Sequence, residues 1–383
     1  MYVTDYELFE VPSRWLFLKL ETETGLVGWG EPTLEGHVKT VASAVERVLR
    51  NYLIGKDPLE IEKHWQAMYR GGGYRGGAVL QTAIGGIDEA LWDIKGKHYE
   101  APVYELLGGR ARDRVRVYQW VGGETPEAVA RAASEAVDDG YRTVKLSPVS
   151  KTNWIETPAA VGDAVEKVTA VREAVGESID VCVDFRGRAS KAMTKWLAEA
   201  VDPHDPAFIE EPVLPEHNAA LATIAARTKT PLATGQRMHS RWEFESLLDT
   251  GAIDVVQPNP SHVGGIAEAK RIAATAETHD VSVAPSCPIG PIALAASARV
   301  DIAAHNVFVQ SQELDVHDPT NSDLLAYLTD PAAFAYDDGS ISPPEGPGLG
   351  IDVDEGYVRE QADAEIDWQN PIWYREDDSV AEW

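Results

Sequence analysis

Three short apolar runs between Val181 and Gln236 constrain the fold more than any other stretch, because each ends in an oxygen-bearing side chain. They read Val181-Cys182-Val183-Asp184, Ala207-Phe208-Ile209-Glu210-Glu211-Pro212 and Pro231-Leu232-Ala233-Thr234-Gly235-Gln236. Asp184, Glu210 and Gln236 follow one another at intervals of 26 residues, the length of about one strand, one helix and two loops. The spacing predicts a βα repeat. Placed on neighbouring parallel strands, the three side chains converge on the carboxyl edge of the sheet, where barrel enzymes carry their chemistry. Hard oxygen donors gathered there suit Mg2+, which is held by a few carboxylates together with substrate and water.

The alternation continues on both sides of this stretch. Short β runs are expected at 115–120, 143–146, 179–185, 207–211, 232–236, 253–257, 281–284 and 307–310, with helices such as 126–139, 159–175 and 266–279 between them. This pattern predicts an α/β fold, a (β/α)-type TIM barrel over residues 113–345. Residues 1–112 read as an α+β capping domain. In it Leu16 to Thr22 and Leu26 to Gly30 flank a Glu23-Thr24-Gly25 turn as a β-hairpin. Helical patterns follow at 38–53, 58–68 and 82–97, the second with Asp57-Pro58 as cap and first helical residue. In the third, Ile84, Ile87, Leu91 and Ile94 recur at steps of three and four. Residues 346–383 are expected to pack back on the capping domain or the barrel.

A glycine-rich segment, Tyr69-Arg70-Gly71-Gly72-Gly73-Tyr74-Arg75-Gly76-Gly77, lacks the spacing and strand context of a phosphate loop. Tyr74 and Arg75 are candidate substrate contacts if this loop closes over a ligand. A plain linker fits the segment equally well.

A length of 383 residues suits a barrel of about 250 residues plus a smaller domain. There is no apolar run of about 18 residues and no signal peptide at Met1-Tyr2-Val3-Thr4-Asp5, so a cytoplasmic protein without membrane contact is expected. Cys182 and Cys287 lie in apolar strand-like runs and are expected as buried thiols, not a disulfide. The net charge of −28 argues against nucleic acid as a partner. It also points to a halophilic setting, since salt shortens the range of self-repulsion. An acidic protein from a low-salt cytoplasm is the alternative. The expected result is a melting temperature that falls as salt is withdrawn, because the screening length stretches from about 3 Å at 1 M to about 30 Å at 0.01 M. A melting temperature constant over that range would contradict this.

Longer motifs carry a family resemblance. They are Arg-Gly-Gly-Gly-Tyr-Arg-Gly-Gly (70–77), Gly-Ile-Asp-Glu-Ala-Leu-Trp-Asp-Ile-Lys-Gly-Lys (86–97), Phe-Ile-Glu-Glu-Pro-Val (208–213), Cys-Pro-Ile-Gly-Pro-Ile-Ala-Leu-Ala-Ala (287–296) and the closing Asp-Asp-Ser-Val-Ala-Glu-Trp (377–383). With the strand-end residues they make the chain resemble the enolase superfamily, in its mandelate-racemase-like branch, and within it the D-galactonate dehydratase family. The resemblance implies a capping domain over a barrel mouth, a homo-oligomer, a small sugar acid as ligand and Mg2+ as cofactor. The reaction it implies is removal of the proton α to the carboxylate, stabilisation of the enediolate on the metal and loss of the 3-hydroxyl.

Carried over by position, the metal ligands fall on Asp184, Glu210 and Gln236, where the family has Glu at the third. That removes a charge and leaves a weaker donor for Mg2+. The family's general acid, a His, corresponds to Arg186, which does not give up its proton at ordinary pH. Its general base, another His, corresponds to Ser286, which has no basicity near neutrality without a neighbouring base. The Asp that orients that base corresponds to Asn259, and a Glu of the eighth strand to Ser311. Two classes of function stay open: a degenerate or repurposed sugar-acid-binding protein, and a dehydratase or related lyase with substituted groups. For the second, His239, His262 and Lys145 are candidate replacements, Lys145 as a base if burial lowered its pKa or as the partner of a site carboxylate. A further expectation is that the Arg186 guanidinium takes the place of the metal, within about 3 Å of both Asp184 and Glu210, if the strand stays regular to its end; the alternative is an Arg186 turned outward to grip a ligand carboxylate while Mg2+ remains.

Overall fold

The computed structural model describes residues 1–12, 14–312, 324–334, 336–362 and 368–382. Trp383 of the closing motif and residues 363–367 of the tail lie outside the described residues.

The chain opens with a three-stranded antiparallel sheet of β1 (Val3–Val11), β2 (Trp15–Thr22) and β3 (Val27–Gly30). β2 and β3 are the expected hairpin. β1 was not anticipated, because Thr4, Asp5, Glu7 and Glu10 break the apolar alternation of a half-buried strand. Helices α1 (Val38–Val48), α2 (Ile61–Arg70) and α3 (Ala78–His98) follow. The start of α2 differs from the expected Pro58: Asp57 Oδ1 accepts from the amide of Leu59 at 3.1 Å, so Asp57 closes a turn instead of capping a helix.

α3 is buried on nearly every side, since it separates the small sheet from the barrel. Glycines on both faces allow this. A Cβ on Gly30 would lie 1.9 Å from the carbonyl oxygen of Gly86, and one on Gly85 would lie 2.1 Å from that of Ser261. The motif at 86–97 is thus a junction helix.

Beyond α4 (Val103–Leu106) and β4 (Val115–Arg116), strands and helices alternate: β5 (Gln119–Trp120), α5 (Pro126–Asp138), β6 (Thr143–Leu146), α6 (Pro158–Val175), β7 (Asp180–Asp184), α7 (Lys191–Val201), β8 (Phe208–Glu210), α8 (Leu221–Ala225), β9 (Leu232–Thr234), α9 (Arg241–Leu248), β10 (Val255–Val256), α10 (Ile266–Thr278), β11 (Ser282–Val283) and α11 (Pro291–Ala303). Side-chain caps from Thr125, Ser190 and Ser240 start α5, α7 and α9. Among the described residues β5 to β11 form one parallel sheet in sequence order. The segment 307–310 joins its two edges through parallel bridges Val283↔Val307 and Val117↔Gln310, giving a barrel-like domain. Two expectations change. The run 115–120 splits, because β4 pairs with β13 (Ser340–Ile341), itself paired with β12 (Tyr336–Asp337), and Val117 donates to Gly339 O. The eighth run is held by bridges instead of a full strand.

Tyr118, Cys182, Phe208, Ala233, Val255, Ala284 and Val309 form a core cluster with one residue from or adjoining each β segment of the barrel except β6. Cys182 and Cys287 are buried and unbridged, as expected. In the tail, α12 (Glu355–Ala362) meets β1 through Arg359 and Glu7. A hairpin of β14 (Trp373–Tyr374) and β15 (Val380–Ala381) is tied to the loop after β6 by Arg375, whose Nε donates to Thr152 O at 2.9 Å. No described helix is long and apolar enough to cross a membrane.

Carboxylates hold the two parts together. Glu31 accepts from the amides of Gly290 (2.6 Å) and Ala293 (3.0 Å) at the start of α11, while Glu89 accepts from Glu31 N and from the Ser261 hydroxyl (2.6 Å). Burial pushes the Glu31 carboxyl up to about 8 and Glu89 to about 7, against the pull of these donors. A carboxyl whose folded pKa lies above its unfolded value keeps a proton that the unfolded chain has released. Stability from Glu31 is therefore present below about pH 4.5 and lost as pH rises to about 8. Unfolding midpoints measured from pH 5 to 8 are expected to fall, at about 1.4 kcal/mol per unit for such a group, and the slope should flatten in Glu31→Gln. An unchanged slope in that variant would contradict the assignment.

Candidate functional site

β7 and β8 end level with each other, in a register that pairs Asp184 with Glu210. Gln236 follows two residues after β9 ends, across Gly235 at φ +127°, where a Cβ would lie 2.6 Å from the Phe244 ring. The strand-end residues thus gather at one edge of the sheet. A cavity of about 560 Å³ opens there, lined by Tyr118, Trp120, Lys145, Asp184, Arg186, Gln236, His239, Asn259, His262, Ser286 and Ser311 from the barrel. The capping domain adds Arg14, Leu34, Glu35 and Ala78, and the tail adds Asn370 and Glu382. Such a volume suits a small-molecule ligand.

Lys145 lies on the floor of this site, one strand before Asp184. Its Nζ donates to both oxygens of Glu210, at 2.8 and 2.7 Å, and both side chains are buried. The rings of Tyr118 and Trp120 cover the ammonium, with centroids at 4.4 and 4.5 Å. Burial acts to lower the lysine pKa, but the charges of Glu210, Tyr118 and Asp184 and the hydrogen bonds to Glu210 together outweigh it and hold Lys145 well above the ordinary lysine range. Burial pushes the Glu210 carboxyl upward and Lys145 opposes it. Two short hydrogen bonds to one ammonium favour the charged pair. Of the two roles expected for Lys145, the geometry supports the carboxylate partner; an ammonium so held is no base.

Arg186 is not where a regular strand would put it. β7 stops at Asp184, and Arg186 adopts φ +53°, so the chain leaves the ladder before position 186. Its amide donates to Asp184 Oδ1 at 2.7 Å, its Nε lies 3.7 Å from Asp184 Oδ2, and its guanidinium sits 4.9 Å over the Trp120 ring. The expectation that Arg186 bridges Asp184 and Glu210 at about 3 Å is therefore corrected: Lys145 holds Glu210, while Arg186 stands by Asp184 and its charge also reaches Glu35. Arg237 is close behind, donating to Arg186 O at 3.1 Å and lying 3.7 Å from Glu211, whose carboxyl burial pushes up to about 7. Burial, together with the charges of Arg186 and Arg237, takes Arg188 down to about 10.

The remaining positions are polar. The Ser286 hydroxyl donates to Gln236 Oε1 at 3.3 Å. Asn259 Oδ1 accepts from Ser261 N at 2.9 Å, so Asn259 shapes its own loop. Ser311 Oγ accepts from Tyr118 OH at 2.6 Å. His262 Nε2 donates to Thr33 O at 2.9 Å, and burial takes its pKa down to about 4. His239 Nδ1 donates to His262 O at 3.3 Å, and burial lowers its pKa as well, so both rings are neutral near pH 7. The loop candidates are not brought in. Tyr74 is 93% exposed and Arg75 lies 5.9 Å over Tyr69, so neither lines the cavity in this structure.

The donor set does not fit a resident Mg2+. Lys145 donates to both oxygens of Glu210 and already balances its charge, the Arg186 amide donates to Asp184 Oδ1, and Gln236 brings no charge and accepts from Ser286. Among the described residues no group of three or more His, Cys, Asp or Glu side chains could hold a metal ion.

Sequence reasoning missed Tyr118, Trp120, Arg237 and the pair Arg14–Glu35, whose Nε and Oε1 lie 2.8 Å apart. Tyr118 and Trp120, two residues apart in a strand run, share a face, and that signal could have placed them. Arg14 and Glu35 sit in loops without a pattern.

A capping domain over the mouth of a parallel barrel, with oxygen donors ending successive strands, is an enolase-type architecture. The Enolase C-terminal domain-like family matches residues 128–357, and the Mandelate racemase / muconate lactonizing enzyme, N-terminal domain, matches residues 12–108. The chain belongs to the mandelate racemase/muconate lactonizing enzyme group of the enolase superfamily. It is 46% identical to a D-galactonate dehydratase of Ralstonia nicotianae and 47% to one of Ralstonia pickettii, each over 383 residues and 100% of both chains. A solved structure from Agrobacterium radiobacter, described as an enolase and candidate galactarate dehydratase with bound sodium and L-malate, superposes with TM-score 0.92 at 29% identity, covering 100% of both chains.

Proposed function

We propose that the protein binds a sugar acid of the D-galactonate type in this cavity and does not dehydrate it. The observation that carries the reading is the pair of residues at the proton-transfer positions. Ser286 spends its hydroxyl proton on Gln236, and Arg186 is a guanidinium beside Asp184. Neither can take a proton from carbon or hand one to a leaving hydroxide near neutral pH. The cavity nevertheless offers an anion three arginines, Arg14, Arg186 and Arg237, each beside a carboxylate of its own: Glu35, Asp184 and Glu211. Relatives named D-galactonate dehydratase, matched along the whole chain, support the ligand class.

One observation favours a second reading. His239 gives its Nδ1 proton to a carbonyl, which leaves Nε2 as the acceptor nitrogen of a neutral ring on the cavity wall, as a general base requires. Titration calorimetry with D-galactonate, followed by assay of the same mixture for the 2-keto-3-deoxy acid, separates the readings. Heat of binding without product supports the first; product that disappears in His239→Ala supports the second.

A further inference from the structure

The strand-end carboxylates are neutralised by the site's own side chains. Asp184 and Glu210 carry two negative charges; Lys145 and Arg186 carry two positive ones; Gln236 carries none. Seating a divalent ion on Glu210 would bring two additional positive charges beside the buried ammonium of Lys145 and the guanidinium of Arg186. Lys145 cannot step aside easily, because its stem is buried and the rings of Tyr118 and Trp120 cap its ammonium at 4.4 and 4.5 Å. Arg186, by contrast, is one-third exposed, its buried Nε lying 3.7 Å from Asp184 Oδ2.

We propose that this site works without a resident divalent cation, Lys145 and Arg186 supplying its positive charge, and that Arg186 receives the ligand carboxylate directly. The planar fork of Arg186, stacked 4.9 Å over Trp120, suits a carboxylate arriving from the cavity. The carboxylate part rests on the sugar-acid reading above; the metal part does not.

The test uses the intact protein in high salt with Mn2+ as probe, its free form followed by electron paramagnetic resonance. The wild type is expected to leave the free Mn2+ signal unchanged at millimolar metal. Arg186→His/Gln236→Glu, which removes one positive charge and adds one negative, is expected to bind Mn2+ at least roughly tenfold more tightly. D-galactonate titrated calorimetrically should show one affinity in EDTA and in excess Mg2+, weakened roughly tenfold or more by Arg186→Ala. One Mn2+ immobilised per wild-type chain would overturn the metal part, and so would galactonate binding that is lost in EDTA. A folded double variant that gains no Mn2+ binding would overturn the assignment of the charge to these residues. Should the double variant not fold, the wild-type arms still decide. Galactonate binding unaffected by Arg186→Ala overturns the carboxylate role. Absence of galactonate binding in both buffers overturns the ligand class, and the Mn2+ arm then judges the metal part by itself.

Discussion

Incubated with Mg2+ and D-galactonate, the protein is expected to form 2-keto-3-deoxy acid no faster than a buffer blank. A positioned acid or base contributes typically about 10²- to 10⁴-fold each, and groups of this kind occupy neither Arg186 nor Ser286. Their losses are not additive, yet either alone would slow the reaction by orders of magnitude. Restoring one residue should achieve little. A histidine at 286 needs the carboxylate that Asn259 lacks to orient its ring, and the enediolate needs a metal that Gln236 and Arg186 disfavour. The fourfold variant Arg186→His/Gln236→Glu/Asn259→Asp/Ser286→His is therefore expected to gain dehydration in Mg2+, while Ser286→His alone stays silent. Activity in the wild type at an ordinary enzyme rate would contradict the account.

The second large effect is on stability. In Lys145→Met the carboxylate of Glu210 loses both short hydrogen bonds inside the barrel, and breaking one side of a buried pair costs about 3–5 kcal/mol. The pH dependence carries a sign. In the wild type the Lys145 pKa is raised, so its contribution persists below the ordinary lysine value and fades only as pH climbs past the raised one. In the variant, the abandoned Glu210 carboxyl takes up a proton in the folded state, so the variant loses stability as pH rises from the ordinary carboxylate range. The gap to wild type thus widens between pH 5 and 8. Lys145→Met/Glu210→Met should recover most of the loss, since a well-packed apolar pair replaces ions at little cost. Urea unfolding in high salt measures all three; a single variant within about 1 kcal/mol of wild type at pH 8 would show that the pair is not held as described.

The sequence placed Asp184, Glu210 and Gln236 at one edge because strand ends repeat with the βα unit, and a repeat needs no tertiary knowledge. It misplaced Arg186 because the period-two rule holds only inside a strand, and β7 ends at Asp184 before a left-handed turn. Lys145 was readable as a possible carboxylate partner, but choosing Glu210 required the register that sets β6, β7 and β8 side by side. For the glycine loop, composition left a ligand contact and a plain linker equally open, and in this structure Arg75 lies over Tyr69 while Tyr74 faces solvent. Contributions from the capping domain, Arg14 and Glu35, come from loops far from the barrel in sequence, and only packing of α3 against both parts brings them in. β1 escaped notice because its polar face looks like a loop.

Hydrogen–deuterium exchange at C2 of D-galactonate, followed by proton NMR in D2O with saturating protein, Mg2+ and high salt, tests the central claim most directly. Exchange reports removal of the α-proton even when no later step succeeds. The account predicts ligand resonances broadened by binding and a C2 proton signal that keeps its intensity; decay of that signal faster than in a protein-free control, abolished by His239→Ala, would contradict it and place a working base in the cavity.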